Sequence, residues 1–211
     1  MKKVSVSILG NNDMYATIDK INKTKASYIH LDVMDNTFVK NSFIKKNEID
    51  RVISSCEKLV DIHFMTYNPL SYIDMISDFS KVFCMTIHYE IKDFLSIINY
   101  IKSKNVKVGL AINPETKVSC IYKYLNLVDL VIVMGVHPGY SNQKFILDIR
   151  KKLKELKTYI KENGLSTKIS IDGGVNDKVF DFIKDADIIV SSSFVLNDLS
   201  NIEKLENIKN N

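Results

Sequence analysis

Apolar, β-branched runs recur along the chain at 4–9, 27–34, 59–65, 82–88, 106–112, 128–134, 168–172 and 187–191. Between them lie amphipathic stretches carrying Lys, Glu and Asp, near 13–24, 47–56, 69–79, 91–104, 116–124, 143–163, 176–184 and 198–208. The clearest helical period is in 143–163, where Phe145, Ile149, Leu153, Leu156 and Ile160 fall on one face. Gly164 follows as a stop signal. Eight strand-like runs alternating with eight helix-like runs predict a parallel sheet covered by helices. The count of eight favours a closed (β/α)8 barrel, with an open doubly wound sheet as the alternative. No proline- or glycine-rich break and no tandem repeat divides the chain, so residues 1–211 read as one domain.

Polar residues inside those apolar runs change the picture. In His30-Leu-Asp32-Val-Met34-Asp35, residues two apart share one face of a strand, so His30, Asp32 and Met34 point the same way. The same holds for His63 and Met65, and Asp172 ends a third run just before Gly173-Gly174. Apolar strands seldom bury His and Asp without a partner. Two His and two Asp converging on one cavity would make a metal site whose carboxylates can act as acid and base. These residues stand at the C-terminal ends of their runs, where (β/α)8 barrels build active sites. Singly, His30 or His63 reads as a hydrogen-bonded core histidine, and each methionine as core filler; only the combination points to chemistry. His88 and Glu90 read as loop structure, and His137 as an exposed turn residue.

Composition narrows the partners. The net charge of +4 is mild, and the lysines are spread along the chain, which suits a solvated surface and excludes a nucleic-acid stripe. Three cysteines, Cys56, Cys84 and Cys120, show no metal spacing and fit a reduced, cytoplasmic setting. The N-terminal apolar stretch is too short for a signal peptide, and no run reaches membrane-spanning length.

Read in order, the chain resembles the ribulose-phosphate 3-epimerase family. The likeness is carried by Ser5-Val-Ser7-Ile-Leu9, His30-Leu-Asp32-Val-Met34-Asp35, Phe38-Val39 with Asn41, Asp61-Ile-His63-Phe-Met65 and His88-Tyr-Glu90. It continues through Lys107 to Thr116, Val133 to Phe145 and Asp172-Gly173-Gly174. The resemblance implies a single (β/α)8 barrel of the ribulose-phosphate-binding type and a small-molecule sugar phosphate as substrate. It implies one divalent metal ion held by His30, Asp32, His63 and Asp172, with Asp32 and Asp172 exchanging protons with the substrate. Mixed imidazole and carboxylate ligation suits Zn, Fe(II), Mn or Co, and the sequence does not choose among them. Met34, Met65 and Met134 match methionines near the reacting carbons, where polarizable side chains accommodate a moving intermediate. Ser7 matches a position near the sugar hydroxyls, and His63 one near the substrate.

Epimerising C3 of a ketose phosphate removes a proton beside a carbonyl and returns one to the opposite face. Two carboxylates are therefore wanted, one ionised and one protonated, exchanging roles. A metal would act on the developing oxyanion as a Lewis acid.

Departures from the family pattern gather at the phosphate end. Glycine-bearing pairs after strands 6 and 8 read here Ser141-Asn142, following Gly139, and Ser192-Ser193; Gly173-Gly174 is retained. Val6, Asn36 and Lys40 replace a proline, a glycine and a second proline. The favoured reaction is interconversion of D-ribulose 5-phosphate and D-xylulose 5-phosphate. The alternatives are D-allulose-6-phosphate 3-epimerase chemistry and a non-catalytic barrel that binds a sugar phosphate. A phosphate-binding decarboxylase would want a lysine among the strand-end acids, and none stands beside Asp32 or Asp172. No nucleic-acid or membrane partner is expected, and a homo-oligomer is compatible with the sequence.

Overall fold

Strand pairing joins the eight apolar runs into one closed ring in the computed structural model, which describes residues 1–11 and 13–209. The strands are β1 (Lys3–Ser7), β2 (Tyr28–Asp35), β3 (Val60–Met65), β4 (Val82–His88), β5 (Lys107–Ile112), β6 (Leu130–Met134), β7 (Lys168–Asp172) and β8 (Ile188–Ser191). Each pairs in parallel with its sequence neighbour, and β1 pairs with both β2 and β8, which closes the barrel. The open sheet is thereby excluded. A two-residue strand, Ser42–Phe43, adds antiparallel to Asp35 and Met34 at the barrel rim.

Alternation sorts the strand residues into two cores. Leu31, Val33, Ile62, Phe64, Ile87 and Leu110 point outward and are fully buried beneath the helices. Their neighbours face the barrel axis, where Cys84, Ala111, Leu130, Ile132 and Met134 form a separate apolar cluster. The axial register sets Ser7 beside His30, His30 beside Asp61, Asp32 beside His63, and Met134 beside Asp172. The polar residues of the strand ends therefore reach the axis because the parity that buries Leu31 and Ile62 outward leaves them no other direction.

The covering helices are α1 (Met14–Asn22), α2 (Ile49–Ser55), α3 (Leu70–Ile73), α4 (Phe94–Ser103), α5 (Ile149–Glu162), α6 (Ser193–Asn197) and α7 (Asn201–Glu206). In α5 the buried stripe is Ile149, Leu153, Leu156 and Ile160, each side chain contributing about 1.5–3 kcal/mol by burial. The helix ends where Gly164, at φ 62°, lets Leu165 donate to the Ile160 carbonyl at 3.0 Å.

Four helical expectations are corrected. The segment expected from residue 143 becomes helical only at Ile149. Residues 143–148 are held as a loop because the Gln143 amide donates to the carbonyls of His137 and Tyr140, and the Ile146 N–H to Gly135. The stretches 116–124 and 176–184 form 3-10 turns, Val118–Leu127 and Asp177–Phe182. In the first, apolar residues three apart, Val118 and Ile121, do not distinguish the two helix types; in the second, Asn176 Oδ1 captures the Lys178 N–H. The run 69–79 reduces to one α turn with a 3-10 turn, Phe79–Lys81, beyond it. No helix among the described residues is long and apolar enough to cross a membrane.

Candidate metal centre and active site

His30 and Asp32 from β2, His63 from β3 and Asp172 from β7 meet at the C-terminal mouth, each offering an atom within 4.8 Å of the others. His30 Nε2 lies 3.5 Å from Asp32 Oδ1 and 3.6 Å from Asp172 Oδ2. His63 Nδ1 lies 3.6 and 3.3 Å from the same two oxygens. Both imidazole nitrogens are buried and make no hydrogen bond. Two atoms each about 2.0–2.2 Å from one ion stand about 3–3.6 Å apart. Orphaned lone pairs facing two carboxylates at such separations fit a divalent cation. Among themselves the four groups polarise one another. Burial alone would lower both histidine pKa values, but Asp32 and Asp61 hold His30 well above its usual value, and Asp172 and Asp32 raise His63. Burial pushes Asp32 up, and the two histidines outweigh it and hold its carboxyl below the usual range.

Each histidine is anchored through its other nitrogen. His30 Nδ1 is 2.9 Å from Asp61 Oδ2, which also accepts from Ser5 Oγ at 3.1 Å. His63 Nε2 is 2.9 Å from His88 Nε2, and His88 Nδ1 is 3.1 Å from Glu90 Oε2. His88 is a correction to the sequence reading: it is the last residue of β4, fully buried and facing the axis. Burial, with His63 beside it, pushes its pKa down to about 4 against the pull of Glu90. The sequence signal was parity, since Asp61 shares a face with His63, and His88 with Thr86. Parity shows the direction of a side chain and not its partner. His137 is exposed, as expected, and pairs with Glu115 at 3.3 Å.

A cavity of about 310 Å³ opens beside the cluster. Ser7, Asp32, Met65, Met134 and Asp172 line its deep end, and Ser7 Oγ donates to Asp32 Oδ2 at 2.7 Å. Gly139, Ser141, Asn142, Gly173, Gly174, Ser192 and Ser193 line the other end. Of the residues singled out in the sequence, His30, His63 and Met34 do not line it; the two histidines are wholly buried, and Met34 packs on Met65 and Val39.

At the loop end, Ser193 Oγ donates to Asn142 Oδ1 at 2.7 Å, and Ser192 Oγ to the Leu9 carbonyl at 2.8 Å. Asn142 and Asn36, which stand where the resemblance leads one to expect glycine, both adopt left-handed backbone, φ 58° and 62°, which asparagine tolerates. Gly174, at φ 69°, passes so close to Phe145 that a Cβ would sit 2.8 Å from its backbone. Asn41 Nδ2 donates to the Gly139 carbonyl at 2.7 Å and ties the β2 loop to the β6 loop.

Fold and site together define a (β/α)8 barrel with a His/Asp centre compatible with a divalent metal, beside a cavity walled by Ser, Asn and Gly loops. The profile of the Ribulose-phosphate 3 epimerase family matches residues 3–196, and the chain belongs to that family. A ribulose-phosphate 3-epimerase from Encephalitozoon cuniculi is 34% identical over 194 residues, covering 91% of this chain and 86% of that protein. One from Methanocaldococcus jannaschii is 35% identical over 201 residues, covering 92% and 84%. Among solved structures, the phosphoribosyl anthranilate isomerase of Thermococcus kodakaraensis superposes with a TM-score of 0.63 at 14% identity, over 99% of this chain and 98% of that one. That likeness shows the fold alone.

Proposed function

We propose that this barrel interconverts D-ribulose 5-phosphate and D-xylulose 5-phosphate by proton transfer at C3. The observation that carries the reading is the pairing of Asp32 and Asp172 in one cavity, from β2 and β7, two strands that are not neighbours in the ring. The names of its relatives supply the substrate. The ionised carboxylate takes the C3 proton, and the other, protonated, returns one to the opposite face; the two then exchange states for the reverse reaction. Ser7 orients Asp32 by donating to Oδ2, which leaves Oδ1 turned toward the histidines. His30, Asp32, His63 and Asp172 would hold one divalent ion, Zn, Fe(II), Mn or Co, with His30 Nε2 and His63 Nδ1 as the imidazole donors. When bound, that ion supplies Lewis-acid stabilisation of the charge that develops on the ketose oxygen.

Met65 and Met134 give the reacting carbons an apolar, polarizable wall, with Met34 packed behind Met65. The phosphate lies at the loop end, against Gly139, Ser141, Asn142, Gly173, Gly174, Ser192 and Ser193, where backbone N–H groups and hydroxyls are the available donors. His63 serves the substrate through the centre it helps to hold. One barrel carries every group the reaction needs, which supports a single-domain enzyme acting on a soluble sugar phosphate.

A coupled assay on purified protein, with elemental analysis, tests this. We expect turnover of ribulose 5-phosphate well above that of allulose 6-phosphate, and about one divalent ion per chain. Turnover of neither ketose by protein carrying its metal would end the proposal; preference for the hexulose would move the substrate.

A further inference from the structure

The two histidines of the centre are held in different ways. His30 meets a carboxylate directly, at Asp61. His63 meets a second histidine, and the carboxylate comes one step later, at Glu90. Glu90 is itself fixed: its Oε1 accepts the Asn113 N–H at 2.8 Å and the Thr116 hydroxyl. The rings of His88 and His63 lie edge to edge, centroids 5.0 Å apart with planes at 24°, and Phe38 of the β2 loop packs on His88 at 4.5 Å. Neither ring has room to flip without breaking these contacts.

Proton counting along this row has one solution that leaves His63 able to bind a metal. Glu90 Oε2 only accepts, so the proton between it and His88 sits on His88 Nδ1. A neutral His88 then accepts at Nε2, and His63 must donate from its own Nε2. That leaves His63 Nδ1 bare. The opposite order would need a protonated Glu90 and would put a proton on Nδ1, taking the lone pair that a metal ligand must offer where it faces Asp32 and Asp172. We infer that His88 and Glu90 are positioning residues for the metal ligand His63, locking it as the tautomer whose Nδ1 lone pair faces Asp32 and Asp172. The inference rests on the proposed ligation by His63 and adds a function to two residues outside the ligand set.

The experiment has two arms. In ¹⁵N-histidine-labelled, zinc-loaded protein, we expect His88 protonated at Nδ1 only, with a scalar coupling between His88 Nε2 and His63 Nε2 across their hydrogen bond. In the second arm, Co(II) affinity is measured by chelator competition. His88→Phe keeps a ring against His63 and Phe38 but no nitrogen, and should weaken binding by about 10–100-fold, the usual effect of losing an outer partner. His88→Gln restores a carbonyl acceptor near the Nε2 position and should recover much of the loss. His63→Ala calibrates the scale. If it leaves Co(II) affinity unchanged, the ligation itself is wrong. If it weakens binding while His88→Phe binds as tightly as the wild type, only the role of His88 falls. A protonated Nε2 on His88 in the zinc-loaded protein overturns the inference even if His88→Phe does not fold.

Discussion

The two ends of the cavity are built on opposite principles. At the deep end, four side chains on three strands converge, and each histidine is pinned by a partner on a neighbouring strand. At the outer end, the walls are loops and the five-residue helix α6, and serine and asparagine side chains bond to one another. Strand register sets the first arrangement to within a residue, because a one-residue slip would turn every side chain to the other face. Backbone dihedrals set the second, and those tolerate exchange, since Asn142 holds a left-handed φ of 58° that glycine would also adopt. Change at the deep end should therefore act on the reaction, and change at the outer end on affinity.

The sharpest way to break this contrast is to remove one proton carrier. Asp32→Asn and Asp172→Asn should each lower epimerisation by about 10²–10⁴-fold, the range for a positioned acid or base. In heavy water, each variant that retains metal should wash deuterium into one epimer without converting it, and the two should differ in which epimer is labelled. Near wild-type conversion by either variant with its metal in place would remove the two-carboxylate account.

His30→Ala should deplete metal and activity together, by more than the 10–100-fold loss expected for an outer partner, since it removes a ligand atom. Asp61→Asn, which alters only the anchor of His30, should fall within that smaller range. Metal affinities for both variants check the ranking, and a larger loss for Asp61→Asn would invert it.

Metal removal should also change how stability depends on pH. In the stripped protein His30 has a raised pKa in the folded state. Its contribution is complete below the unfolded value of about 6.5 and is lost as pH rises through the folded one. Asp32 has a lowered pKa, so its contribution is present above the unfolded carboxylate value and lost only in acid. An ion needs bare imidazole nitrogens, so its binding strengthens as pH rises. Melting temperatures in chelator should thus fall between pH 6 and 8.5, and the gap between loaded and stripped protein should widen. A gap that narrows over that interval would show that the histidines are not ligands.

The smallest effect belongs to the outer end. Asn142→Gly should change KM by a few-fold at most, and Asn142→Ala should cost about 1–2 kcal/mol of stability, because alanine fits a φ of 58° poorly. A kcat loss of the size seen for the aspartate variants would show that the two ends are not separable.

Much of this is legible in the sequence. The strand runs fall within about two residues of the observed strands, because buried β-branched segments are a local signal. His30, Asp32, His63 and Asp172 stood out because buried ionisable residues at strand ends are uncommon. The stretch 143–148 and the 3-10 turns were misread because an apolar spacing of three or four says nothing of a Gln143 amide or an Asn176 carboxamide competing for backbone partners.

By itself, the sequence determined which residues could reach the barrel axis: period-two alternation is local, and the outward apolar residues leave the polar ones no alternative. Only the tertiary structure decided which of them meet. His63 and His88 are 25 positions apart, and His30 and Asp61 are 31 apart. Their contact depends on the stagger between β2, β3 and β4. That stagger is a property of the closed ring, fixed by hydrogen bonds between strands that no single segment encodes.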